Sequence, residues 1–204
     1  MPPRGAHEAE RGRGLTPAAV SGPSTASGTR AATRVARTFD ARDIRLLLRR
    51  PHFVVFEYQE LFTTVWLGRP DGLSLVRLHA EMDRSMARFP DGIHLLSVFE
   101  PGADPPPPHE RELMRAYYDE HATRLTGHTV LLDGGGFWAS TIMSAATAQR
   151  SGSRARFPER VARSETEAAL YVSATFPRGP LSRVENVLES IRMARSRSAA
   201  LARV

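Results

Sequence analysis

The residues with the clearest chemical potential lie at one junction. Val130-Leu131-Leu132 is apolar, Asp133 is a carboxylate, and Gly134, Gly135 and Gly136 follow. Phe137 and Trp138 then open a run rich in Ala, Ser and Thr. This pattern predicts a buried strand, a glycine turn and a helix. Backbone N–H groups of such a turn, at the amino end of a helix, can cradle a phosphate. Asp133 works against that use, because a carboxylate beside the turn repels an anion. The run is also neither G-x-G-x-x-G nor G-x-x-x-x-G-K-[ST]. A turn that needs positive φ and close packing accounts for the same glycines. Phe137 and Trp138 are then candidates for a partner contact.

A second chemistry needs two carboxylates. Glu100 follows the apolar run Ile93–Phe99 as Asp133 follows Val130–Leu132. If both runs are neighbouring parallel strands, the two acids meet at the carboxyl edge of the sheet, where open α/β sheets bind ligands. Such a pair can exchange protons or hold a metal, or it can simply be solvated. Nucleophiles are less promising. Ser140, Thr141 and Ser144 follow the glycine turn with no histidine near them in sequence, and no G-x-S-x-G elbow is present. The histidines, at positions 7, 52, 79, 94, 109, 121 and 128, show no tight ligand spacing. His109 and His121 can share a helix face, three turns apart, but not one metal. No metal and no cofactor is therefore expected.

Composition removes whole classes of chemistry. The chain has no cysteine, so disulfides, thiolate metal sites and thiol nucleophiles are excluded. Every one of its 28 basic residues is arginine, which excludes a Schiff-base or P-loop lysine. The formal charge of +6 looks like a nucleic-acid signal until it is located. Residues 1–50 carry 10 Arg and 4 acids, while the remaining residues carry 18 of each. The body is neutral and the excess belongs to the amino-terminal arm. No apolar run approaches the ~20 residues that span a bilayer, and no apolar segment follows the charged amino terminus. A cytoplasmic protein without a membrane role is expected.

The elements that must position these residues follow from periodicity. Residues 1–38 lack large apolar side chains and are expected to form a disordered basic tail. Over 39–51 a short amphipathic helix is predicted, with Ile44, Leu47 and Leu48 on one face and Pro51 as its stop. Phe53–Tyr58 and Leu61–Leu67, separated by Gln59-Glu60, predict an antiparallel hairpin. Asp71 is a candidate N-cap for a helix whose Leu75, Leu78, Met82, Met86 and Phe89 recur at helical spacing. Ile93–Phe99 is nearly all apolar, as a central strand should be. A proline run then leads into a helix near 109–125, with Leu113, Tyr117 and Leu125 as its stripe. The strand Thr129–Asp133 and a small-residue helix follow. An edge strand at 157–162 precedes two capping boxes, Ser164–Glu167 and Ser182–Glu185, each opening a helix. The expected domain spans 52–176, with a carboxyl-terminal helix and frayed tail over 177–204.

The entry hairpin, the strand Ile93–Phe99 and the unit Val130–Gln149 resemble the STAS family, the sulfate-transporter and anti-sigma-factor-antagonist fold. The likeness runs from about Phe53 to Phe176 and includes the Gly136-Phe137 pair opening a helix. It implies an α/β fold with a STAS-like mixed sheet of about five strands, entered by an antiparallel hairpin and flanked by four to five helices. It further implies a non-enzymatic module that binds a protein or a small ligand at the carboxyl edge. A regulatory role with a protein partner is the leading expectation, and a homodimer is a separate candidate. In the antagonists a serine directly after the aspartate is phosphorylated. Here glycine follows Asp133, and Ser140 and Thr141 are the nearest hydroxyls. Two other functions remain open: a small-ligand or phosphate binder using Gly134–Gly136, as a carrier or an enzyme, and a nucleic-acid contact through the basic arm. The first is the stronger alternative.

Overall fold

The computed structural model describes residues 39–132, 139–144, 147 and 157–203. The expected basic tail and the Asp133–Trp138 turn lie outside the described residues. The strands are β1 (Arg45–Arg50), β2 (Phe53–Tyr58), β3 (Leu61–Trp66), β4 (Ile93–Phe99), β5 (Leu125–Leu132) and β6 (Glu159–Ala162). The helices are α1 (Gly72–Arg88), α2 (Pro108–Glu120), α3 (helical over 139–144), α4 (Glu165–Thr175) and α5 (Val184–Ala202). Together the strands form one six-stranded sheet in sequential order. β1, β2 and β3 pair antiparallel, and β3 to β6 pair parallel.

The apolar pattern explains the layering. β2, β3 and β4 are buried at every position, so both faces of the sheet must be covered. Phe53, Val55, Phe62, Trp66, Leu95, Phe99, Val130 and Leu132 point to one face. There they meet Leu75, Leu78, Met82 and Met86 of α1, Met114, Tyr117 and Tyr118 of α2, and Ile142 of α3. Val54, Phe56, Val65, Leu96, Val98 and Leu131 point to the other face. They pack on Ala168, Ala169 and Val172 of α4 and on Val187, Ile191 and Ala194 of α5. The result is a three-layer α/β/α sandwich.

Most local signals act as expected. Asp71 caps α1 by accepting from the Ser74 N–H at 2.7 Å, and that bond lowers the carboxyl pKa. The first capping box forms: Ser164 Oγ accepts from the Glu167 N–H at 3.2 Å. Glu167 in turn accepts from the Arg163 N–H at 2.7 Å. The β2–β3 hairpin turns at Gln59-Glu60, and Gln59 adopts the left-handed conformation (φ 53°) that a glycine would take more readily.

Four expectations are corrected. Residues 45–50 form an edge strand, not a helix. Arg50 pairs with Phe53 across a two-residue turn, and the free edge of β2 satisfies the backbone of β1. A register shift between Leu46 and Leu48 accommodates Leu47, so Leu47 and Leu48, which with Ile44 mimic helical spacing, belong to a bulged strand. α2 ends at Glu120, and Leu125 belongs to β5. Met114, Tyr117 and Tyr118 form the buried stripe of α2, while Leu113 is exposed. The second capping box does not form. Ser182 lies in a 3-10 turn, where its hydroxyl donates to Gly179 O at 2.8 Å, and Arg183 occupies the cap position. Finally, α5 packs on β2 and β3, so the segment after residue 177 is part of the fold rather than an appendage.

Buried polar groups lock the layers together. Glu57 of β2 is 2% exposed. It accepts from Ser85 Oγ at 2.5 Å, from Arg88, and from Arg45 at 3.1 Å. One carboxylate thereby ties α1 to the edge strand. Breaking a buried pair by removing one partner costs about 3–5 kcal/mol, a figure reduced here because both arginines reach solvent.

Gly127 in β5 shows how tightly the sheet is filled. A Cβ there would stand 2.7 Å from His94 Cε1 and 3.3 Å from the Pro158 carbonyl. Gly127→Ala should lower stability by about 1–3 kcal/mol through overpacking. Gly72→Ala, with nothing within 4 Å of the added methyl, should cost nothing. Urea unfolding of the two variants checks this, and an unchanged midpoint for Gly127→Ala would overturn the close contact.

Candidate functional site

Two groups of polar side chains stand out, one at the carboxyl edge of the sheet and one inside it. At the edge, β4 ends in Phe99 and Glu100 turns the chain, its N–H donating to Trp66 O at 3.1 Å. The Glu100 carboxylate faces α5. Arg195 meets it as a fork, with Nε to Oε1 at 2.7 Å and Nη2 to Oε2 at 2.9 Å. The same guanidinium donates to Glu165 Oε1 at 2.7 Å. Arg192 approaches Glu165 Oε2 at 3.4 Å and donates to Glu189 at 2.9 Å. Glu165 sits in the first turn of α4, where a negative charge suits the helix dipole. The side chains of Glu100, Glu165 and Arg195 are between 20% and 24% exposed, so solvent screens them only in part.

An open cleft of about 530 Å³ lies over this cluster, walled by Leu67, Pro101, Ser196 and Ala199 beside the four charged residues of the network. Another, smaller cleft of about 330 Å³ is lined by Ala139, Ser140, Met143, Ser144 and Arg163. Ser140 and Thr141 are both exposed on α3. Leu132 pairs with Phe99, which brings β5 to the edge level with the end of β4. Asp133, Gly134, Gly135, Gly136, Phe137 and Trp138 lie outside the described residues. Of the residues singled out from the junction and the edge, then, Glu100, Ser140, Thr141 and Ser144 are located. Glu100 is engaged by arginine from the other end of the chain. Among the described residues no group of three acids or histidines could hold a metal ion.

The second group was not foreseen. Ser97 of β4, His128 of β5 and Glu159 of β6 point to the same face of the sheet. Ser97 Oγ is 3.1 Å from His128 Nε2, and His128 Nδ1 is 3.3 Å from Glu159 Oε1. With Glu159 facing Nδ1, Nε2 is left to accept the serine proton, the order of a nucleophile, base and orienting acid. Its surroundings are those of a core. Ser97 and His128 are each 7% exposed. Ser97 lies mid-strand, with β3 and β5 paired on either side of it, so neighbouring backbone N–H groups serve the ladders rather than an oxyanion. Tyr118 stands edge-on to His128 at 5.8 Å, and burial raises its phenol pKa, with the Glu159 charge adding to the rise.

On the opposite face His94 Nε2 is 2.9 Å from Thr129 Oγ1. Its Nδ1 has no hydrogen-bond partner among the described residues. Burial, with a smaller contribution from His128, pushes the His94 imidazole down to about 3. One signal pointed to these groups: a Ser and two His set in otherwise apolar runs must find partners if those runs are buried strands. Which of them share a face is decided by the strand register, and β5 begins at Leu125 rather than at Thr129.

Compared with known families, with curated proteins and with solved structures, the chain finds no match in any of the three. No described helix is long and apolar enough to cross a membrane.

Two measurements test this geometry. If Arg195 and Glu100 act as one unit, a double-mutant cycle with Arg195→Ala and Glu100→Gln should return a coupling of roughly 0.5–3 kcal/mol; a coupling near zero would assign Glu100 to solvent. His94 gives a pH signature. Its folded pKa lies below the ordinary 6.5, so the unfolded chain binds a proton that the folded chain excludes. Stability is therefore full above about pH 6.5 and falls as the pH drops toward 3. Between pH 7 and pH 4.5, His94→Gln should lose less stability than wild type, by about one proton's worth of slope in urea unfolding. Equal losses would contradict the assignment.

Proposed function

We propose that this chain is a regulatory protein-interaction module of STAS-like type, acting at the carboxyl edge of its sheet. The observation that carries the reading is the Glu100–Arg195–Glu165–Arg192 network under an open cleft. Its charges are already paired with one another, and such a surface offers a partner a shaped, mixed-charge platform. The likeness to STAS domains rests on element order: a sheet entered antiparallel and continued by parallel strands joined through helices. It predicts binding rather than turnover. A regulatory phosphate on Ser140, in the cleft with Arg163, fits the same reading as a charge added at the platform's border.

A hydrolase is the second reading, favoured by one observation, the ordering of Ser97, His128 and Glu159. Their burial and the committed backbone around Ser97 weigh against it. An organophosphorus serine probe separates the two: the hydrolase reading expects labelling of wild type that Ser97→Ala abolishes, and the module reading expects no labelling of either.

For the module itself, photo-crosslinkers at Pro101 and Ser196 should join the chain to one protein from extracts of the cell that makes it. Arg192→Glu should cut that crosslinking strongly. Asp91→Lys, at the opposite edge, should leave it intact. Crosslinking to no discrete protein, or equal loss in both variants, would reject the carboxyl edge as the docking surface.

A further inference from the structure

The outer surface of α1 and α2 carries a pattern that neither the core nor the carboxyl edge uses. Leu73 and Val76 of α1 are 69% and 60% exposed, and Leu113 of α2 is 38% exposed. Single exposed apolar residues are ordinary, whereas three within the first two turns of adjacent helices form a patch. Both helices cover the same face of the sheet and follow parallel strands, so they run side by side in one direction. Tyr117 clamps them together. Its hydroxyl donates to Asp83 at 2.5 Å, and its ring stacks on His79 at 4.0 Å. The surface is thus a preformed plate rather than two independent helices.

The two helices are complementary position by position. Counted from Gly72 and Pro108, Val76 and Arg77 fall level with Glu112 and Leu113, Ala80 with Ala116, and Arg84 with Glu120. Except for Ala80, which is half-buried, all of these side chains are exposed. The outer stripe of α1 is apolar and basic, and that of α2 is apolar and acidic. A two-fold axis parallel to the helices would lay α1 of one copy along α2 of the other. Val76 then meets Leu113, Ala80 meets Ala116 closely enough for backbone approach, and Arg84, which is paired with Glu81 on its own helix and is 64% exposed, meets Glu120, each contact occurring twice.

We infer that this α1–α2 face is an isologous homodimer interface, whose occupant is a second copy of the chain. Self-complementary charge on one plate selects that occupant. A foreign partner would need only one sign or the other, whereas this face carries both in matching register.

The test is analytical ultracentrifugation of the full chain across a concentration series, with circular dichroism to verify folding. Wild type should dimerise reversibly. Val76→Glu and Leu113→Lys should each raise the dimer dissociation constant about tenfold or more. Arg84→Glu should weaken the dimer, and adding Glu120→Arg should restore it. All four positions are exposed in the monomer, so the fold should survive each change. A wild type that stays monomeric throughout would overturn the inference. So would a dimer whose dissociation ignores these substitutions, or an Arg84→Glu defect that Glu120→Arg leaves uncorrected.

Discussion

The constraint on which the rest depends is that the central strands are covered on both faces and still carry polar side chains. Glu57, Thr64, His94, Ser97, His128 and Thr129 are all buried, and an unpaired polar group in such a place costs about 1–3 kcal/mol. Several of them find partners that bind one element to another. Glu57 joins β2 to α1 and β1 through Ser85, Arg88 and Arg45. Ser97, His128 and Glu159 link three adjacent strands in a row. His94 and Thr129 link two of the same strands on the opposite face. These bonds specify register as well as strength, since a one-residue slip would send each group to the wrong face.

The same economy shapes the carboxyl edge. The helices that follow β6 return along the second face, and α5 delivers Arg195 to Glu100, 95 positions earlier in the chain. Glu100 is therefore bound to the carboxyl-terminal helix instead of standing free beside a ligand. This turns an edge that fold rules mark for small molecules into a salt-linked surface with a shallow cleft. The α1–α2 plate faces away from α5, on the other side of the sheet. The edge proposed for docking and the plate proposed for pairing are thus separate surfaces of one domain.

Legibility varied with the range of the interaction. Asp71 capping α1 and Ser164 capping α4 depend on neighbours three residues away, and both read directly from sequence. The α1 stripe and the strands β2, β3 and β4 emerged from periodicity and apolar runs for the same reason. Residues 45–50 misled because Ile44, Leu47 and Leu48 fit a helical face, whereas the open hydrogen bonds of β2 draw that segment into the sheet. Ser182-x-x-Glu185 misled because Pro180 and Gly179 set a 3-10 turn that used the serine first. The relay through Ser97, His128 and Glu159 stayed hidden, since its members are 31 residues apart in each step and meet only through parallel pairing.

By itself, the sequence determined the class of fold, because alternating apolar runs and amphipathic helices have few ways to bury their faces. It also settled what chemistry is excluded: no thiol, no lysine, no local metal spacing. It located Glu100 at the end of a buried strand, since that placement needs only the length of an apolar run. The tertiary structure alone decided what Glu100 touches, which buried polar groups share a face, and that residues 45–50 extend the sheet. Each of those depends on partners far away in the chain, and their meeting is set by register and by packing across layers, which no local pattern encodes.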